Sequence, residues 1–204
     1  MLTSVNTMSI EKRKYELKSR AAAQQQTRER IVAATVELHT EVGPALTTVA
    51  EVARRAGVQR LTVYNHFPDD TGLFGACQAH WMQLHPLPDV ATALAADDPA
   101  ERVRSVFRAQ YGWYRETEPM AEKVQRDRGS VPSLDSLMRR TADARLDQLA
   151  DTLAIGLGES AERRALVRLG LDFWTWRRLA REGLDDDAAA ELMTAAAMAS
   201  LQRS

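Results

Sequence analysis

Apolar residues along this chain recur at helical spacing rather than alternating. Ile31, Ala34, Leu38 and Val42 stand three and four residues apart, and Gly43-Pro44 ends that run as a terminal glycine followed by proline should. Thr48-Val49-Ala50-Glu51 then places a hydroxyl three residues before a glutamate. That is a capping-box signature, in which each side chain satisfies an orphan amide of the first turn. The helix it opens presents Val49, Val52, Ala53 and Ala56 and breaks at Gly57. A third short helix, about Gln59 to His66, is closed by Phe67-Pro68, with Val58, Leu61, Val63 and Phe67 read as its buried positions. Further helices are expected at about 70–85, 98–117, 119–128, 133–156, 160–182 and 186–202. The breaks between them are Pro86-Leu87-Pro88, Pro119, Gly129 with Pro132, Gly156 with Gly158, and Gly183. The pattern predicts an all-α chain of about nine helices.

Composition is that of an ordinary globular protein, 45% hydrophobic and 27% charged over 204 residues, and a disordered chain is excluded. The net charge of −1 hides an asymmetry. Residues 1–68 carry 10 Lys or Arg against 6 Asp or Glu, and residues 69–204 carry 17 against 22, a basic head on an acidic body. The single cysteine, Cys77, excludes an internal disulfide and fits a reducing compartment. No run approaches the ~18 apolar residues of a membrane span and no signal-peptide core opens the chain, so a cytoplasmic protein with no membrane partner is expected. Three regions are expected: residues 1–26 as a basic, flexible arm, 27–69 as a small domain, and 70–204 as the helical body.

A capped helix, a turn at a glycine, and a short helix rich in polar groups make a helix-turn-helix. Ala53 and Ala56 let the second helix pack closely, Gly57 permits the bend, and the outward face stays free to enter a major groove. Here the chain resembles the tetracycline-repressor-like (TetR) regulators. The resemblance rests on "TRERIVAATVELHTEVG", then "LTTVAEVARRAGVQRLTVYNHFPD" and "LF" shortly after, and covers about residues 27–75. It implies a three-helix DNA-binding head on a helical ligand-binding and dimerisation body. By position, it implies that Arg60, Leu61 and Thr62 address base edges, that Gln59 and Thr48 lie near phosphates, and that Tyr64 and His66 contact the backbone. Asn65 is placed either toward an adenine or toward the backbone. Two residues depart from the family pattern: Asp70 stands where a lysine is usual, and His39 where a buried phenylalanine is usual. A carboxylate at 70 repels the DNA backbone unless it caps the following helix. The segment "EKRKYELKSR", residues 11–20, reads either as a solvated helix extension or as an arm tracking phosphates.

In the body, Phe107, Tyr111 and Tyr114 share a helical stripe that serves equally as core or as a cavity wall. With the resemblance implying an unknown small-molecule effector between the middle helices, the candidate contacts are Phe107, Gln110, Tyr111, Tyr114, Met120, Met138 and Trp174. The last helices offer apolar faces for association through Leu166, Leu169, Phe173, Trp176, Leu192, Ala195, Ala196, Met198 and Ala199. The resemblance makes these the seam of a homodimer that sets two recognition helices about one turn of double-stranded DNA apart, on a near-palindromic operator. Cys77 and His80, with His85, invite a metal reading, but no further ligand stands at supporting spacing, so no metal or cofactor is expected. Arg177-Arg178 fit either an anion or an exposed helix end. Glu51 and Asp172 are lone acids for which a cap or an ion pair suffices, and no catalytic constellation is present, so an enzyme is not expected. The expectation is a DNA-binding repressor released by a ligand; the rival is a dimeric helical ligand-binding or protein-interaction module that does not read DNA.

Overall fold

The computed structural model describes residues 4–158 and 160–199, and the side chains among them from residue 14 onward. The described residues form helices and no strand. Helix α1 (Ser4–Glu41) begins in the segment expected as an arm, is exposed from residue 14 through 26, and turns inward at Ile31. It stops where Gly43 adopts a left-handed φ of 98°, and a 3-10 turn (Pro44–Leu46) leads to α2 (Val49–Ala56). The Thr48 hydroxyl accepts from the Glu51 amide at 3.2 Å, one half of the expected capping box. The other half is not made. The Glu51 carboxylate swings instead to Arg54, 2.9 Å from Nε, because an ion pair along the helix outbids a reach back to the cap.

Gly57 ends α2 at φ 65°, and the Val58 amide reaches the Ala53 carbonyl at 3.0 Å. This left-handed exit closes the helix and sets the angle of α3 (Arg60–His66). Helix α4 (Asp70–Leu84) follows, its N-cap being Asp69, which accepts from the Gly72 amide at 2.8 Å. A short turn of helix, α5 (Ala91–Leu94), absent from the sequence-based expectation, precedes the long α6 (Pro99–Asp127).

Pro119 was expected to break this helix, yet α6 passes straight through it. Arg115 and Pro119 are both exposed, so the carbonyl deprived of its amide faces water, while Thr117 and Met120 anchor the opposite side. The expected helix over 133–156 is instead α7 (Pro132–Met138), a π-turn (Arg139–Asp143) and α8 (Ala144–Ile155). The expected helix over 160–182 is two, α9 (Ala161–Gly170) and α10 (Phe173–Arg181). Asp172 makes that break by capping α10 through the Trp174 amide at 2.8 Å. The carbonyls freed at the end of α9 are not orphaned: Tyr111 donates to Gly170 O at 2.7 Å and Tyr114 to Leu171 O at 2.8 Å. Helix α11 (Asp186–Ala199) closes the described chain; the expected end of this helix, residues 200–202, lies outside the described residues.

Two apolar cores result. One gathers Ile31, Leu38, Val52, Ala53, Ala56, Val63 and Phe67 of the first three helices and extends to Cys77 of α4 and Met120 of α6. The other is larger and aromatic, built on Phe107, Tyr111, Tyr114, Phe173 and Trp176. A polar clamp ties them. Asp127 at the end of α6 accepts from the Ala45 amide at 3.0 Å, and Arg126 bonds both Asp127 and the Val42 carbonyl.

Candidate nucleic-acid interface and ligand cavity

Helix α3 turns only one side to its support. Val63 is fully buried and Thr62 and His66 half-buried, while Arg60, Leu61, Tyr64 and Asn65 stand in solvent. Leu61, expected among the buried positions, is 66% exposed, and Tyr64 is 52% exposed. Seven residues make barely two turns, so one flank suffices for anchoring and the rest of the helix circumference is open. Gln59, at the N-cap, and Thr48, at the start of α2, are exposed as well. The expected DNA-facing set therefore splits into an open group and two residues, Thr62 and His66, at its edge.

Charge pairing separates this helix from its neighbour. Arg54 is held by Glu51, and Arg55 by Glu41 at 2.5 Å. The side chains of Arg60, Tyr64 and Asn65 have no hydrogen-bond or ion-pair partner among the described residues. An unpaired guanidinium in solvent keeps its full donor fork for a carboxylate-like or phosphate-like acceptor. At 70, the carboxylate does not serve as the cap; Asp69 does, and Asp70 lies in the first turn of α4, where the helix dipole favours an acid. His39 points inward rather than out. It is 5% exposed, its ring 5.5 Å from Phe74, and burial depresses its pKa to about 4, so the imidazole is neutral at neutral pH.

Behind the head, α4, α6, α7 and α8 enclose a cavity of about 410 Å³. Such a volume lies within the range of small-molecule sites. Gln110, Tyr114, Met120 and Met138 of the expected ligand set line it. Phe107, Tyr111 and Trp174 do not. Phe107 is spent against the backbone of Gly170, Tyr111 is spent on the end of α9, and Trp174 is 43% exposed on the outer face of α10. The lining also includes Trp81, Met82 and Trp113, whose residue types suit an adaptable apolar cavity, and His39 and Arg145, which the sequence reading had not placed there. For Arg145 a signal existed: with Met138, Thr141 and Ala142 it follows three- and four-residue spacing along one face.

The expected association surface needs a similar correction. Phe173 and Trp176 are 1% exposed in the body core, because Asp172 starts a new helix and turns them inward. Leu169 and Leu192 are half-exposed, Ala195 and Ala199 exposed, and Leu166, Ala196 and Met198 partly buried. Of the other singled-out residues, Cys77 is buried in the head core with its thiol pushed up to about 12 by burial, and His85 stacks on Trp81 at 4.0 Å. Arg177 is paired with Glu118 and Glu122 and Arg178 with Glu182, which leaves neither free for an anion. No described helix is long and apolar enough to cross a membrane.

Residues 31–77, which span the last turns of α1 through the first half of α4, match the family model described as bacterial regulatory proteins, tetR family. No curated protein matches the sequence. Solved structures extend the likeness beyond the head. A TetR-like transcriptional regulator from Rhodococcus sp. RHA1 superposes with a TM-score of 0.61 at 20% identity, over 87% of this chain and 97% of that one. A transcriptional regulator from Rhodococcus sp. Rha1 gives 0.57 at 21% identity, over 85% and 95%. A TetR-family transcriptional regulator from Streptomyces coelicolor gives 0.53 at 20% identity, over 87% and 80%. The chain thus joins a segment that matches the tetR-family model to a body, with which it shares the fold of solved TetR-family transcriptional regulators.

Proposed function

We propose that the protein is a ligand-responsive transcriptional repressor that binds a near-palindromic DNA operator as a homodimer and leaves it when a small molecule fills the body. The observation that carries this reading is the open face of α3, where Arg60, Leu61, Tyr64 and Asn65 point to solvent without internal partners. Arg60 is suited to a bidentate bond with a guanine, worth ~1–3 kcal/mol of base discrimination. Tyr64, His66, Gln59 and Thr48 sit around it for backbone contact. Leu169, Leu192, Ala195 and Ala199 supply an apolar seam for the second copy. The cavity touches α4, which follows directly on α3, and touches α1 through His39. Occupancy that moves either helix changes the spacing of the two heads. A ~100-fold loss of DNA affinity needs about 2.7 kcal/mol of coupling.

Electrophoretic mobility shift of the DNA upstream of its own coding region, run across a salt series, tests the reading. Affinity is expected to fall steeply with salt, and the double variant Arg60→Ala/Tyr64→Ala to lose at least 100-fold while its dimer and melting temperature are unchanged. Wild-type binding by that variant would move the DNA contact elsewhere.

A further inference from the structure

Arginines on the body's helices are almost all answered. Arg128 is held by Asp135 and Asp143, Arg168 by Asp147, Arg164 by Asp151, and Arg115 by Asp186. Arg102 and Arg163 take backbone carbonyls. Arg145 differs. It lines the cavity, is partly buried, and its one hydrogen bond is from Nη1 to the neutral Oε1 of Gln110 at 3.0 Å. No carboxylate lies within ion-pair distance of it among the described residues. A guanidinium has five N–H donors, so most of this fork is open.

The cavity around it is otherwise largely apolar. Trp81, Trp113, Met82, Met120, Met138 and Leu146 form much of the wall. Of its polar members, Gln78 bonds Thr141 at 2.8 Å, Thr117 bonds the Trp113 carbonyl at 2.7 Å, and the Tyr114 hydroxyl bonds Leu171 O, while the neutral His39 ring also lines the space. Burial lowers the pKa of Arg145, the sign of a cation held away from water without a counter-charge. A π-turn, a form frequent at functional sites, precedes α8 and carries Thr141 and Ala142 into the same wall.

We propose that the cavity ligand is an apolar monocarboxylate whose carboxylate forks onto Arg145 while its hydrocarbon part fills the space between Trp81, Trp113 and Met138. The assignment deepens the repressor reading by naming the class of its effector. One carboxylate matches one open guanidinium. A volume of about 410 Å³ holds roughly a dozen water-sized groups, the size of a ten-carbon acid. A dication or a sugar finds neither counter-charge nor hydrogen-bonding wall here.

The test uses the full-length protein with decanoate and decanol as probes and isothermal titration, with quenching of tryptophan fluorescence as a second readout. Decanoate is expected to bind at least about tenfold more tightly than decanol, since charge-assisted hydrogen bonds exceed neutral ones by that margin. Arg145→Gln, which keeps a donor for Gln110, is expected to erase the preference, and Arg145→Lys to restore part of it. Equal affinity of wild type for acid and alcohol overturns the assignment without reference to any variant. So does an unchanged decanoate affinity in a folded Arg145→Gln protein. These readouts involve no DNA, so failure here is distinct from failure of the repressor reading, which the mobility shift alone decides.

Discussion

Head and body both leave polar groups unanswered, but in opposite directions. In the head, Arg54 and Arg55 of α2 are neutralised by Glu51 and Glu41, and the groups without partners stand on α3, facing out. In the body, many surface arginines are paired with acids, while Arg145, with no acid within ion-pair distance among the described residues, lines the cavity. An exposed donor is satisfied by water, whereas one turned into an enclosed space without a full set of partners costs stability. The contrast divides the chain into a part whose open donors lie on its surface and a part whose open donor faces an enclosed space.

His39 is where the two parts meet, and altering it gives the largest expected effect among variants of that boundary. It belongs to α1 but lines the cavity, with its pKa depressed to about 4 from an ordinary 6.5. The unfolded chain binds a proton between these values and the folded chain does not, so stability falls as pH drops from about 6.5 toward 4 and is level above. The slope amounts to at most about 3 kcal/mol. Denaturant titrations at pH 7 and pH 5 are expected to show this loss in wild type and to show it flattened in His39→Leu. A slope that survives the substitution would place the titration elsewhere and blur the boundary.

Asp127→Ala comes next. Its carboxylate is 6% exposed and joins α6 to the turn after α1 through Ala45 and Arg126. Removing it takes the partner from the Ala45 amide and leaves Arg126 only the Val42 carbonyl, at a cost of about 2 kcal/mol. Hydrogen exchange is expected to speed up in residues 41–47 while the aromatic core of the body keeps its protection. If both regions loosen together, head and body are one cooperative unit. The smallest effect belongs to Thr48→Ala, which deletes the N-cap of α2 for about 1 kcal/mol. DNA affinity is expected to fall through loss of order in α2, and the cavity's affinity for decanoate to stay the same.

What the sequence made legible follows the same division. Caps, the left-handed Gly57 and helical spacing act locally, so α2, the turn and the existence of α3 were readable before any coordinates, although Leu61 was read as buried and stands open. The body depends on which neighbour lies across from a stripe, and spacing does not carry that. Phe107, Gln110, Tyr111 and Tyr114 share one region of α6, yet two meet the cavity and two are spent on the end of α9. Pro119 looked like a break because a proline's missing amide was counted without asking whether its lost partner faces water. Arg145 was hidden in a charged stretch, "MRRTADARLDQ", that reads as a solvated face until its wall-mates are known. Phe173 and Trp176 looked like a seam because Asp172 was not read as a fresh start.

The π-turn at Arg139–Asp143 accommodates one residue more than a regular helix would over the same rise. Drawn out into plain α-helix with every residue kept, it would turn α8 by about 100° against α7, so the two helices could not both keep their present faces. Excision of a single residue within it, by contrast, would let the helix anneal with α7 and α8 still presenting their present faces. This short stretch is therefore a place where the gene can drop a codon and leave the chemistry of the enclosed space as it was.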